Sequence, residues 1–134
     1  MRPRYLLDTH ILIRWISEPK RLSRDQTRAI RDSLHRREQV AISAVTLLEI
    51  ATLFGRDSRR SNRDVGELLN DISSNPAIEI VPLSIEVAAE VAALGNALKD
   101  PVDRAIAATA RVNRLTLITS DERIIDSGVV PVVS

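Results

Sequence analysis

Cysteine is absent from this 134-residue chain, so neither a disulfide framework nor a thiolate metal centre is available to it. Aromatic residues are almost as rare. Tyr5, Trp15 and Phe54 are the whole set, too few for the stacking platforms with which proteins grip single-stranded nucleic acid. No apolar run approaches the ~18 residues of a membrane span. Met1-Arg2-Pro3-Arg4 leads straight into a strand-like segment, and a soluble, unprocessed cytoplasmic protein with no membrane partner is expected. Lysine is scarce too, with only Lys20 and Lys99 among 19 basic residues, and the formal net charge is +1. Bulk charge therefore supplies no affinity for a polyanion. The arginines suit bidentate phosphate contact, although an arginine-rich genome yields the same count.

What remains is ordinary globular composition, 44% hydrophobic and 28% charged, in a length that falls within the ~100–200 residues of one domain. A single domain over residues 1–134 is expected. Tyr5-Leu6-Leu7 reads as a buried strand ending at Asp8-Thr9, with Ile11, Leu12, Trp15 and Ile16 continuing at helical spacing. Glu18-Pro19 breaks that helix. Ser23 and Gln26 form a capping box for the next one, whose apolar stripe is Ala29, Ile30 and Leu34. Its other face carries Arg24, Arg28, Arg31, Arg36 and Arg37 and is either a solvated face or a track for phosphates.

Val40–Ser43 is a second strand, and Val45–Phe54 an almost wholly apolar helix with Gly55 as its C-cap. A basic stretch with Arg56, Arg59, Arg60 and Arg63 follows, and Asn62 is placed to cap a helix built on Val65, Leu68, Leu69 and Ile72. Ile78–Val81 alternates as a strand with one exposed residue. Ser84 caps a helix in which Val87, Val91, Leu94 and Leu98 keep a 3.6-residue spacing. Asn113 reads as a left-handed cap, Leu115–Thr119 as a strand ending at Ser120-Asp121, and Val129–Val133, interrupted by Pro131, as a strand at a sheet edge.

Alternating strands and helices imply an α/β fold with a parallel sheet and right-handed crossovers. Asp8 and Asp121 each follow a strand, at the sheet edge where such folds hold their ligands. Asp100-Pro101-Val102-Asp103-Arg104 opens another helix: Asp100 suits the N-cap, Pro101 the first turn, and Asp103 the unpaired N–H groups at the third position. Taken alone, that is a capped helix and nothing more. Glu49 has apolar neighbours on both sides, and a desolvated carboxylate requires a cation, either a basic side chain or a metal.

Four carboxylates converging on one sheet edge repel unless a divalent cation joins them, and an all-oxygen set favours Mg²⁺ or Mn²⁺. Ions held in this way are the usual apparatus of phosphodiester hydrolysis. Thr9, Ser43, Thr119 and Ser120 adjoin the expected ligands, as positioning groups or as ordinary turn and cap residues. Arg104 is expected either to meet the scissile phosphate or to pair with Asp8 or Glu49.

Four segments in order, Leu6-Leu7-Asp8-Thr9-His10, Ile42-Ser43-Ala44-Val45-Thr46-Leu47-Leu48-Glu49-Ile50-Ala51, Asp100-Pro101-Val102-Asp103-Arg104 and Leu117-Ile118-Thr119-Ser120-Asp121, resemble the signature segments of PIN-domain ribonucleases. Their spacing is similar to that of VapC-type toxins, and the resemblance covers essentially the whole chain. It implies a three-layer α/β/α fold with a central, mainly parallel sheet and Mg²⁺- or Mn²⁺-dependent RNA cleavage. It further implies homodimers or larger toxin–antitoxin assemblies and neutralisation by a cognate antitoxin. Catalytic and metal-ligand roles fall on Asp8, Glu49, Asp103 and Asp121, with Asp100 an accessory.

The chain departs from the family pattern at Asn96 and Lys99, where many relatives carry a histidine, and at Leu48, where a tryptophan is common. These departures bear on substrate choice rather than on the expected ligands. A non-catalytic PIN-like module that binds RNA or protein is the alternative, though it would be expected to have lost carboxylates. An aspartate-nucleophile phosphatase would want an aspartate where His10 stands. Ile11, Trp15 and Phe54 are either core or a groove for an antitoxin helix.

Overall fold

Tyr5–Leu7 forms β1, the central strand of a five-stranded sheet in a computed structural model that describes residues 2–56 and 64–134. The other strands are β2 (Val40–Ser43), β3 (Ile78–Val81), β4 (Thr116–Ile118) and β5 (Val132–Val133). They lie in the order β3-β2-β1-β4-β5, and every pairing is parallel. The chain builds outward from β1 through β2 to β3, then returns to the other side of β1 for β4 and β5. The order therefore reverses between β1 and β4, which is where an open α/β sheet leaves a crevice at its carboxyl edge.

Alternation along these short strands sends neighbouring side chains to opposite faces. Leu6, Ala41 and Leu117 join a buried cluster with Val87, Leu94, Leu98, Ile106, Ala107 and Ile124. Leu7, Val40, Ile42 and Ile118 join a second cluster with Ile11, Leu12, Ala29, Ile30, Ile50, Leu68 and Ile72. Each fully buried Leu or Ile stabilises the fold by ~1.5–3 kcal/mol relative to exposure. The first cluster seats α5 (Ile85–Ala93), α6 (Pro101–Val112) and α7 (Glu122–Ser127); the second seats α1 (Thr9–Ser17), α2 (Arg24–His35), α3 (Ala44–Arg56) and α4 (Val65–Ser74). This is the three-layer α/β/α arrangement expected from the sequence. Among the described residues no helix is long and apolar enough to cross a membrane.

Several element ends differ from expectation. Gly55 lies inside the last turn of α3 and is not a left-handed cap. Asp64 caps α4 by accepting the Gly66 N–H; Asn62 and the basic stretch after Arg56 lie outside the described residues. Leu94 and Leu98 are buried beyond the end of α5, which stops at Ala93 before Gly95 turns left-handed at φ 63°. The left-handed residue after α6 is Arg114, at φ 55°, rather than Asn113. Only Val132 and Val133 pair as β5, because Pro131 offers no N–H, though its carbonyl still accepts from Leu117. In β3 both Glu79 and Ile80 are exposed, as an edge strand allows.

Candidate active site

Asp8 follows β1 directly, and Thr119-Ser120-Asp121 follows β4, so the two segments face each other across the switch point. The parallel register pairs Leu7 with Ile118, and one step on the Asp8 N–H donates to the Ile118 carbonyl at 3.0 Å. Asp8 is only 5% exposed. Burial pushes its carboxyl above the ordinary value, against the Thr119 hydroxyl bond, the nearby His10 and the Thr9 N–H, while Asp121 pushes it further up. The Thr119 hydroxyl donates to Asp8 Oδ2 at 2.6 Å and accepts the Asp121 N–H at 3.0 Å. One buried hydroxyl thus spends both of its roles joining two acidic segments.

The third carboxylate arrives on α6. Asp100 caps that helix, accepting the N–H groups of Val102 at 2.9 Å and Asp103 at 3.0 Å, and Pro101 opens its first turn. Asp103 sits half-buried above the turn. Its carboxyl is raised to about 6, chiefly by burial and then by the negative charges of Asp100, Asp121 and Asp8, with Arg123 opposing them. Asp121 goes the other way: the Arg123 guanidinium bonds it at 3.3 and 3.1 Å and holds its carboxyl below the usual range. The same guanidinium reaches Asp103 Oδ2 at 3.9 Å.

Glu49 is not among the groups that dominate these titrations. It lies half-buried in the second turn of α3, and the expectation that it has apolar surroundings on every side does not hold. Leu48 is 63% exposed, and Ala51 and Thr52 are exposed too, so α3 keeps a solvent face beside the glutamate. Arg104 is also corrected. It faces away from the carboxylates, donating through Nη1 to the Gly95 carbonyl and, at 2.7 Å, to that of Leu98, and through Nη2 to the Val91 carbonyl at 2.5 Å. The end of α5 leaves carbonyls without helical partners, and a guanidinium satisfies them.

The hydroxyls divide in a comparable way. Thr9 and Thr46 share a buried hydrogen bond of 3.0 Å that ties α1 to α3. Ser43 accepts the Val45 N–H at 3.1 Å and meets the Thr109 hydroxyl at 3.5 Å, linking the start of α3 to α6. Ser120 is exposed and receives Gln26 Nε2 at 2.8 Å and Arg14 at 3.5 Å. Two participants had no functional signal in the sequence. Gln26, completely buried, uses its oxygen for the capping box at Ser23 and its nitrogen for the β4–α7 turn. Arg123, two residues past Asp121, is the guanidinium that pairs with the acidic cluster among the described residues. Among the described residues, no three acidic or imidazole side chains stand together as a ready-made metal cage.

A parallel α/β sheet with carboxylates at its switch point defines a class of proteins that work on ligands at the carboxyl edge, and comparison with known proteins narrows it. The profile of the PIN domain matches residues 5–128. Ribonuclease VapC22 of Mycobacterium tuberculosis is 31% identical over 120 residues, covering 89% of this chain and 88% of the relative. A toxin–antitoxin complex from Klebsiella pneumoniae superposes with a TM-score of 0.67 at 26% identity, over 97% of this chain and 96% of that one. The DNA-bound VapBC2 complex of Rickettsia felis does so with a TM-score of 0.73 over 99% and 98% of the two chains, and at 18% identity it shares the fold. This chain belongs to the PIN-domain family.

Proposed function

We propose that this protein is an endoribonuclease, the toxin of a toxin–antitoxin pair, which hydrolyses RNA phosphodiester bonds with Mg²⁺ or Mn²⁺ at the β1–β4 crevice. The observation that supports the reading is that Asp8, Asp103 and Asp121 lie near enough at the switch point for each carboxylate to feel the charge of the others, although they are not drawn together as a finished cage. Its support from outside the site is the 31% identity to a VapC ribonuclease over nearly the whole chain. The donors are all carboxylate oxygens, the set that hard divalent cations prefer. Asp103, raised to about 6 by burial and by three neighbouring carboxyls, marks a cluster short of positive charge.

Asp8, Asp103 and Asp121 would hold the ion, with Glu49 reaching in from α3. The ion would supply Lewis acidity toward the phosphoryl oxygen and acidify a water molecule. The chain's own work is positional. Thr119 keeps Asp8 and Asp121 at a fixed separation, Asp100 and Pro101 aim Asp103, and the Gln26–Ser120 bond fixes the turn that carries Asp121. A homodimer, a cognate antitoxin and a cytoplasmic location complete the proposal.

The test is incubation of purified protein, freed of any antitoxin, with a broad RNA panel in Mg²⁺ or Mn²⁺, beside Asp8→Asn and Asp103→Asn. Wild type is expected to cleave, and both variants to fold, bind RNA and leave it intact. Undiminished cleavage by both variants overturns the site. No cleavage by wild type, with RNA binding equal in all three proteins, favours the non-catalytic module.

A further inference from the structure

We propose that Arg123 is the built-in counter-ion of the acidic cluster and sets its affinity for a divalent cation, because its guanidinium competes with the ion for Asp121 and for the negative charge of Asp103. The inference rests on the metal-site reading above. Its first support is occupancy. Asp121 Oδ1 accepts both the backbone N–H of Arg123 at 2.9 Å and its Nε at 3.3 Å, while Oδ2 accepts Nη2 at 3.1 Å. Both oxygens of this carboxylate are therefore held by one residue, and the same Nη2 lies 3.9 Å from Asp103 Oδ2. A guanidinium fork fits a carboxylate in this bidentate way, whereas an ammonium meets it as a point charge.

The second support is that, among the described residues, Arg104 and Arg14 are engaged elsewhere. Arg104 is bound to three backbone carbonyls at the end of α5, and Arg14 points to the Ser120 hydroxyl. The third is the ease of departure. The Arg123 side chain is 76% exposed, so it can swing into water without opening the core, and an exposed ion pair gives way readily to a stronger competitor. A divalent ion at the same carboxylates carries twice the charge and repels the guanidinium outward. Arg123 thus steadies the cluster when no ion is bound and weakens the binding of one.

The experiment is titration of Mn²⁺ into metal-stripped protein, with free Mn²⁺ followed by its electron paramagnetic resonance signal, and melting temperature measured with and without the ion. Arg123→Ala is expected to bind Mn²⁺ up to about fivefold more tightly than wild type. It should also melt lower in chelator, so that Mn²⁺ raises its melting temperature by more. Arg123→Gln, similar in length and uncharged, should tighten binding in the same sense and guards against loss of fold in the alanine variant. Arg123→Lys, which keeps the charge without the fork, should fall between. Asp103→Asn, run in parallel, should lose Mn²⁺ binding.

Equal or weaker Mn²⁺ affinity in both uncharged variants, while wild type binds and Asp103→Asn does not, overturns the role of Arg123 alone. Absence of Mn²⁺ binding by wild type overturns the metal reading and this inference with it.

Discussion

Thr119 and Asp103 carry the sharpest residue-scale consequences. Thr119→Val keeps the shape of the side chain but removes the hydroxyl that Asp8 accepts at 2.6 Å. A buried carboxylate that loses its donor costs ~1–3 kcal/mol. Urea unfolding should show that loss, and Thr119→Ser should recover most of it. Asp103 sets a pH dependence. Its carboxyl ionises at about 6 in the folded chain and near 3.8 when unfolded. Within that window the folded state holds a proton that the unfolded state has released. Stability in chelator should therefore be greater below the window and decline as pH rises through it. Asp121 acts in the opposite sense below the window, its contribution disappearing as pH falls through its depressed value. Melting curves across the window should show a steeper decline for wild type than for Asp103→Asn. Equal slopes would contradict the placement of Asp103 against the other carboxyls.

At the scale of elements, α6 is aimed by two devices. The Asp100–Pro101 cap was legible in the sequence because capping is local and obeys residue type. The second device was not. Arg104 reaches back to Val91, Gly95 and Leu98, and where a long side chain swings is decided by which carbonyls the turn leaves unpaired. Arg104→Ala should destabilise the fold by ~1–3 kcal/mol and reduce RNA cleavage by loosening the turn that carries Asp103. Arg104→Lys should restore only part of each, lacking the fork. Denaturation and cleavage rates measured on the same preparations check both effects. Glu49 shows the converse difficulty. Its apolar neighbours in sequence implied burial, yet α3 packs one face on α1, α4 and α6 and leaves Leu48, Ala51 and Thr52 in water. Hydrophobic composition alone does not say which face meets the core.

For the whole molecule, the parallel sheet followed from alternation and from the rules for crossovers, and its three layers from the resemblance to the PIN-domain family. The strand order that puts β1 beside β4 is a long-range fact, and it alone brings Asp8 within a hydrogen bond of Thr119, 111 residues away. The acidic residues were legible as candidates because strand ends and helix starts are where open α/β sheets bind. Arg123 was not, since an Asp-x-Arg spacing is common in any first turn and acquires meaning only beside Asp103. An anomalous difference map from crystals soaked in Mn²⁺ would show directly whether the β1–β4 crevice holds an ion. One peak or more is expected in the β1–β4 crevice, with oxygens of Asp8 and Asp103 at coordination distance, ~2.1 Å, and Arg123 swung away from Asp121. Mn²⁺ bound only elsewhere, with the Arg123–Asp121 pair intact, would contradict that placement of the ion.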